Sequence, residues 1–270
     1  MHIPAMMNRE WIATLRLITN YGHYVSPRNY QTRERLHQTF IVSMSHCVLT
    51  HPERELSYQF MAAEAFWILS GSDRVDQIAP YNKNITAFSD NGETFFGAYG
   101  PKIMAQLPYV VETLTRDPLS RQAGLTIWRE SPPATKDMPC TVAIFANIRA
   151  RQLNLHVFMR SSDVWLGLPY DVFNFSMLGH LICCRLNSGP QLAEYGEITP
   201  GTLYLTAMSM HLYERNHERA SVVLNDARLH PEGNPVPRVL RHSELTLYDV
   251  LKQLRETKKG DPLRWWEVRA

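Results

Sequence analysis

The sequence lacks the long apolar runs and the charge excess that define several common protein classes. Among its 270 residues, no apolar stretch approaches the roughly 18 to 20 residues that cross a bilayer. The first residues, MHIPAMMNREWIATL, are too polar for a secretory signal. A formal net charge of +2 leaves no broad basic surface for nucleic acid. The sequence therefore predicts no membrane association and no direct nucleic-acid binding.

Cysteine and the usual cofactor motifs are also scarce. The four cysteines, Cys47, Cys140, Cys183 and Cys184, do not make a disulfide framework in a chain of this length. Cys183-Cys184 has no second pair at zinc spacing, and the motifs GxxxxGK[ST], GxGxxG and HExxH are absent. We therefore expect a reducing, cytoplasmic location and no metal ion.

Helical and strand patterns alternate along the chain without regular βαβ order. The helical patterns cover Trp11 to Ile18 before Gly22, Ser57 to Gly71, Asp171 to Leu186 and Thr246 to Lys258. Residues 141–148 and 152–160 predict two strands, the second with apolar residues at every other position from Leu153 to Met159. We therefore predict an α+β fold, with a single domain over residues 1–270.

Cys140 opens the first of these strands, directly after Met138-Pro139. A positive charge would favour its thiolate, and Arg160 on the neighbouring strand can supply one. The alternative is a small buried side chain without chemistry. Arg160 and the hydroxyls of Ser161 and Ser162 also suit a phosphate, unless Arg160 only forms a surface ion pair with Asp163.

Three further polar residues stand in apolar surroundings. Glu64 shares a helical stripe with apolar side chains, which indicates a raised pKa and acid–base work unless it is a surface residue. Asp171 begins an apolar helix, either as its N-cap or as a group that faces a ligand. His211 and Tyr213 fall on one face of a strand, a pair that is often structural.

From about Tyr24 to His217, the sequence resembles the thymidylate synthase and pyrimidine hydroxymethylase family. The strongest block is RSSDVWLGLPYD at 160–171, similar to the family pattern RSxDVxLGLP[FY]N. Shorter blocks occur in the family's order: AEAFW at 63–67, GAYG at 97–100, DPLSR at 117–121, PC at 139–140 and HLY at 211–213. The ordered set is specific, although each short block is weak alone.

The resemblance implies a mixed-sheet sandwich with helices, a homodimer across a flat sheet face, and 5,10-methylenetetrahydrofolate as co-substrate. Cys140 matches the nucleophile that adds to pyrimidine carbon 6. Glu64 matches the proton-shuttling carboxylate, and Tyr99 the tyrosine near the proton that leaves carbon 5. The remaining matches are Arg160 and Ser161 for phosphate, Arg121 for the partner's phosphate, His211 and Tyr213 for the sugar, and Asp163 for folate.

The departures from the family pattern concern both ligands. Gln122 replaces a second arginine, and either Arg28 or Arg33 could supply the arginine of the N-terminal phosphate loop. Phe88 aligns with a synthase tryptophan that lines the folate site. The predicted substrate site also includes Ser162, and the predicted folate site also includes Gly167, Tyr170 and Ala270, in a tail that only loosely resembles the family's.

Asp171 is the decisive departure, because the synthases carry asparagine there. Uracil offers an N3–H donor and an O4 acceptor, whereas cytosine offers an N3 acceptor and an amino donor. A carboxylate accepts from the amino group, and a protonated carboxyl or a protonated N3 completes the second bond. We therefore expect hydroxymethylation of dCMP in a cytoplasmic enzyme, a reaction that would suit a phage, although the sequence does not reveal the source. The alternatives are methylation of dCMP, hydroxymethylation of CMP, or a catalytically retired nucleotide-binding paralogue.

Overall fold

The computed structural model describes residues 6–189, 195–226, 228, 235–236, 240 and 243–256. Within these ranges, helices and strands follow one another in a mixed order. The helices are α1 (Met7–Tyr21), α2 (Tyr58–Leu69), α3 (Val75–Ile78), α4 (Tyr99–Arg116), α5 (Leu168–Ser188), α6 (His217–Asn225) and α7 (Glu244–Leu254). The strands are β1 (His23–Val25), β2 (Thr32–Ser43), β3 (Gly124–Thr126), β4 (Thr141–Arg149), β5 (Gln152–Asp163) and β6 (Thr199–Tyr213).

The strands form one mixed sheet in the order β1-β2-β6-β5-β4-β3. All neighbouring pairs are antiparallel except β5 and β6, which run parallel. The predicted strands are the hairpin β4–β5, whose turn places Ala150 and Arg151 at φ values of 50° and 62°. Because β5 and β6 are parallel, their carboxyl ends meet at the same edge of the sheet.

The sheet has one buried and one open face. In β5, the apolar residues at alternate positions from Leu153 to Met159 are buried, as the period-two pattern predicts. Helices α1 and α5 pack against the buried face and form the core with it. The opposite face exposes large apolar side chains, including Phe145, Phe158 and Met208. The predicted α+β class with a mixed sheet is confirmed; its extent over all of residues 1–270 stays a prediction.

The ends of three predicted helices illustrate how local sequence sets their limits. Ser57 caps α2 by accepting from Phe60 N, and Gly22 ends α1, as predicted. Helix α5 begins at Leu168 rather than at Asp171, because Pro169 fits the first turn of a helix. Gly167 is the N-cap, so the interpretation of Asp171 as a helix cap is wrong.

Candidate active site

A cavity of about 180 Å³ lies between α2, the start of α4, the loop before β4 and the first turns of α5. It brings together the four residues that the resemblance marks as catalytic: Glu64, Tyr99, Cys140 and Asp171. A larger groove of about 740 Å³ runs along the other side of α2 between Phe66 and Arg74, and none of the predicted site residues line it. The smaller cavity is therefore the candidate active site.

Cys140 is held against Arg160 by the β4–β5 pairing. Arg160 N donates to Cys140 O at 2.8 Å, and the Arg160 guanidinium donates to the carbonyls of Pro139 and Met138 at 3.0 and 2.9 Å. The Cys140 Sγ lies 3.8 Å from Ser161 Oγ. Burial raises the pKa of the thiol and outweighs the lowering effect of Arg160. Arg160 therefore fixes the loop that carries Cys140 and favours the thiolate without fully compensating for burial.

The Glu64 carboxylate contacts an amide that the sequence analysis did not single out. Asn174 Nδ2 donates to Glu64 Oε2 at 2.8 Å from α5. Burial raises the pKa of Glu64 to about 7, and the bond from Asn174 lowers it. A carboxyl that titrates near neutral pH suits proton transfer in both directions. The interpretation of Glu64 as a surface residue at a helix end is therefore wrong.

Asp171 and Tyr99 complete the polar lining of the cavity. Burial, followed by the neighbouring carboxyls of Glu64 and Asp163, raises the pKa of Asp171 well above its usual range. Thr141 N donates to the Tyr99 hydroxyl at 3.3 Å, and burial raises the pKa of Tyr99 as well. Burial therefore favours the protonated, neutral form of the Asp171 carboxyl, which lines the cavity.

The predicted phosphate, sugar and folate ligands gather at the carboxyl ends of β5 and β6. Asp163 lies opposite His211 in the register, and the rings of His211 and Tyr213 are 5.2 Å apart. Asp163 Oδ1 accepts from the backbone N–H groups of Trp165 and Leu166, so it is not committed to an ion pair with Arg160. Ser162 is buried beside them.

The other residues that are predicted to bind phosphate do not line the cavity. Arg33 is engaged by Glu214 at 3.3 Å and by Thr19 O at 2.9 Å, whereas Arg28 is exposed on a turn with φ of 52°. Arg121 and Gln122 are exposed in the segment before β3. Both arginines remain candidates for the phosphate loop, and the choice between them stays a prediction.

The predicted folate residues are not brought to the cavity wall. Phe88 is 52% exposed, and Ile85, from the same turn, lines the cavity instead. Tyr170 accepts from Ser57 N at 3.2 Å and supports the start of α2, while a Cβ on Gly167 would lie 3.6 Å from Asp171 Oδ2. Ala270 lies outside the described residues.

Sequence reasoning missed four residues that shape the site: Ile85, Asp137, Asn174 and Arg54. Asp137 lines the cavity and accepts from Gly97 N at 2.7 Å. Arg54 is buried and donates to Trp165 O at 2.5 Å, which fixes the loop before α5. A signal existed for Asn174, since it is polar, lies on an apolar helix and follows Asp171 by one turn.

No group of three or more histidine, cysteine or carboxylate side chains is arranged to hold a metal ion in the part of the chain that the structure describes. Within the same ranges, no helix has the length and apolar character to span a membrane.

Comparison with known proteins accords with this geometry. The sequence matches the thymidylate synthase family over residues 9–239, and the chain belongs to that family. It is 29% identical over 180 residues to deoxyuridylate hydroxymethyltransferase of Bacillus phage SP01, covering 59% of this chain and 44% of that protein. It is 25% identical over 224 residues to thymidylate synthase of Pseudomonas fluorescens strain SBW25, covering 73% and 75% respectively.

A third relative is deoxyuridylate hydroxymethyltransferase of Pseudomonas phage M6, 30% identical over 141 residues and covering 48% of this chain and 40% of that protein. The chain thus spans less than half the length of the phage hydroxymethyltransferases that it matches.

Proposed function

We propose that this chain hydroxymethylates carbon 5 of dCMP with 5,10-methylenetetrahydrofolate, through a covalent adduct on Cys140. The observation that carries the proposal is the convergence of Cys140, Glu64, Tyr99 and Asp171 on one cavity in a member of the thymidylate synthase family. The same convergence argues against a retired nucleotide-binding paralogue.

In this proposal, the Cys140 thiolate adds to ring carbon 6 and makes carbon 5 nucleophilic. Methylenetetrahydrofolate supplies the one-carbon unit to carbon 5. Tyr99, which matches the family's tyrosine near the carbon 5 proton, assists the loss of that proton, and elimination of tetrahydrofolate leaves an exocyclic methylene. Glu64 then takes a proton from a water that adds to this methylene. Elimination of Cys140 restores the aromatic ring and gives hydroxymethyl-dCMP.

Ile85 on the cavity wall supports the proposal that a water molecule can reach the exocyclic methylene. The resemblance places an indole beside the reacting carbon in the synthases, where it helps to exclude water. Here Ile85 is the residue of the turn Lys83–Phe88 that lines the cavity, together with Trp67 from α2, and the aromatic Phe88 is exposed. Transfer of hydride instead of water would give methyl-dCMP and dihydrofolate.

Two further observations support the proposed binding of folate and the proposed homodimer. Asp163 Oδ2 is buried and makes no hydrogen bond among the described residues, so it is available to an N–H donor of the folate ring. The exposed apolar face of the sheet, with Phe145, Phe158 and Met208, supports a homodimer in which Arg121 reaches the partner's phosphate. Relatives from phages support a phage origin.

Deoxyuridylate is the second candidate substrate, because the phage relatives are named for it. Incubation with dCMP, dUMP or CMP and methylenetetrahydrofolate, followed by mass spectrometry of the nucleotide, tests the proposal. Gain of CH2O on dCMP alone is the expected result. Gain of CH2 would identify a methylase, reaction of dUMP would identify the other base, and an unchanged mass with all three would contradict catalysis.

A further inference from the structure

The two polar atoms of the Asn174 side chain differ in their hydrogen bonding. Its side chain is 3% exposed and lines the cavity one helical turn after Asp171. Nδ2 donates to Glu64 at 2.8 Å, whereas Oδ1 is buried with no hydrogen-bond partner among the residues described. A buried carbonyl oxygen without a hydrogen-bond partner destabilises the protein. The open acceptor therefore indicates that a bound ligand brings a donor to this position.

Glu64 fixes which end of the Asn174 amide faces the ligand. An ionised carboxylate can only accept hydrogen bonds, so the amide must turn its NH2 group toward Glu64. The oxygen is then left as an acceptor on the cavity side. Ionisation of Glu64 thus locks Asn174 as an acceptor rather than a donor.

A neutral Asp171 cannot by itself distinguish cytosine from uracil. A protonated carboxyl has one donor and one acceptor oxygen, and the two oxygens can exchange these roles. It can therefore pair with the N3 acceptor and amino donor of cytosine or with the N3–H donor and O4 acceptor of uracil. Discrimination requires a second group whose polarity is fixed.

We propose that Asn174 is this specificity-determining residue, and that its Oδ1 accepts the second N–H of a pyrimidine 4-amino group while Asp171 accepts the first. Uracil would place its O4 acceptor against this oxygen and leave both without a donor. Such unmatched buried polar groups are the basis of strong discrimination. The inference rests on the proposed function, because it assumes that the base lies in this cavity.

Nucleotide binding to the Cys140→Ser protein tests the inference without turnover. Calorimetry at pH 8 would give dissociation constants for dCMP and dUMP in this parent and in the parent carrying Asn174→Leu. We expect the dissociation constant for dCMP to rise on the order of tenfold, and that for dUMP to change by less than about twofold. Asn187→Leu, on the same helix but not on the cavity wall, is the matched control and should change neither.

Asn174→Ser is a second variant that keeps the test valid if the leucine impairs folding. Its hydroxyl can donate or accept, so the preference for dCMP should shrink. A dCMP preference in the parent that survives both substitutions would overturn the role of Asn174 and leave the proposed function standing. Tighter binding of dUMP by the parent, or binding of neither nucleotide, would overturn both the role of Asn174 and the proposed function. The parent protein alone reveals either result, so no Asn174 variant is needed for it.

Discussion

Burial raises the pKa of every acidic side chain that the structure places around the cavity: Glu64, Tyr99, Asp137, Cys140 and Asp171. Burial thus favours the protonated form of each of these groups, and the pKa of Glu64 is about 7. Hydrogen bonds in such a partly buried site are stronger than those in water.

Glu64→Gln is predicted to change how stability depends on pH. The pKa of Glu64 is raised from an ordinary value of 4.5 to about 7, so the folded protein binds more protons than the unfolded chain between these values. Its free energy of unfolding must therefore fall as pH rises through this window, by about 2 to 3 kcal/mol from this residue. The Glu64→Gln variant has no titrating group at this position, so its free energy of unfolding should not show this decrease.

Urea unfolding of both proteins at pH 5 and pH 8 measures the effect of Glu64. Subtracting the two profiles isolates the effect of Glu64 together with its electrostatic coupling to Asp171. The glutamine variant should gain stability relative to the wild type at pH 8. An identical difference at the two pH values would show that Glu64 has an ordinary pKa.

Ile85→Trp is predicted to change the product rather than the substrate. A second indole on the cavity wall, at position 85 in addition to Trp67, would hinder the water that attacks the exocyclic methylene, so hydride transfer should gain a larger share. Absorbance of dihydrofolate during turnover with dCMP reports this share, which should rise several-fold. Phe88→Trp is the matched control, because Phe88 is exposed and should leave the share unchanged. An equal rise of the dihydrofolate share in both variants would show that Ile85 does not line the path of the attacking water.

Among the secondary-structure elements, the β4–β5 hairpin brings Cys140, directly before β4, next to Arg160 in β5. Arg160→Gln is predicted to raise the pKa of the Cys140 thiol further and to release the Met138 and Pro139 carbonyls. The rate of Cys140 alkylation by iodoacetamide at pH 8 should fall about tenfold, as measured by peptide mass spectrometry.

The hairpin supplies its own control for this prediction. Arg149→Gln at the far end of β4 should leave the alkylation rate unaltered, and the other cysteines are buried and should react little in either variant. An unchanged rate in Arg160→Gln would mean that Arg160 serves only the phosphate.

Element patterns also show what the sequence could and could not foretell. Alternating apolar residues in β5 predict which face of the strand is buried, and the ordered motifs predict four residues that the structure brings to one cavity. Periodicity does not resolve which side chain of the turn Lys83–Phe88 points inward, so Phe88 was expected where Ile85 lies. Asn174 was missed because its importance comes from a contact with Glu64, which is distant in the sequence.

At the scale of the whole molecule, Arg121 lies outside the cavity of its own chain, and the shared site stays a prediction. Mixing inactive Cys140→Ala and Arg121→Ala chains is predicted to restore activity in heterodimers, because one site then has both residues intact. The recovered activity should approach about a quarter of the wild-type value when chains mix at random.

The pair Cys140→Ala and Glu64→Gln is the control for subunit mixing. Both residues line one cavity of one chain, so a heterodimer of these variants has a defect in each site and should stay inactive. No recovery with Arg121→Ala, despite demonstrated subunit exchange, would contradict the shared phosphate site.

In the proposed reaction, Cys140 forms a covalent bond with a cytosine nucleotide that then accepts a folate-borne carbon. Intact-protein mass spectrometry with 5-fluoro-dCMP and methylenetetrahydrofolate tests it most directly, because carbon 5 of this analogue carries no proton to lose. We predict a stable increase equal to the nucleotide plus the folate, localised to Cys140 and absent from Cys140→Ser. A protein mass that stays unchanged with 5-fluoro-dCMP, or an adduct formed only with 5-fluoro-dUMP, would contradict the account.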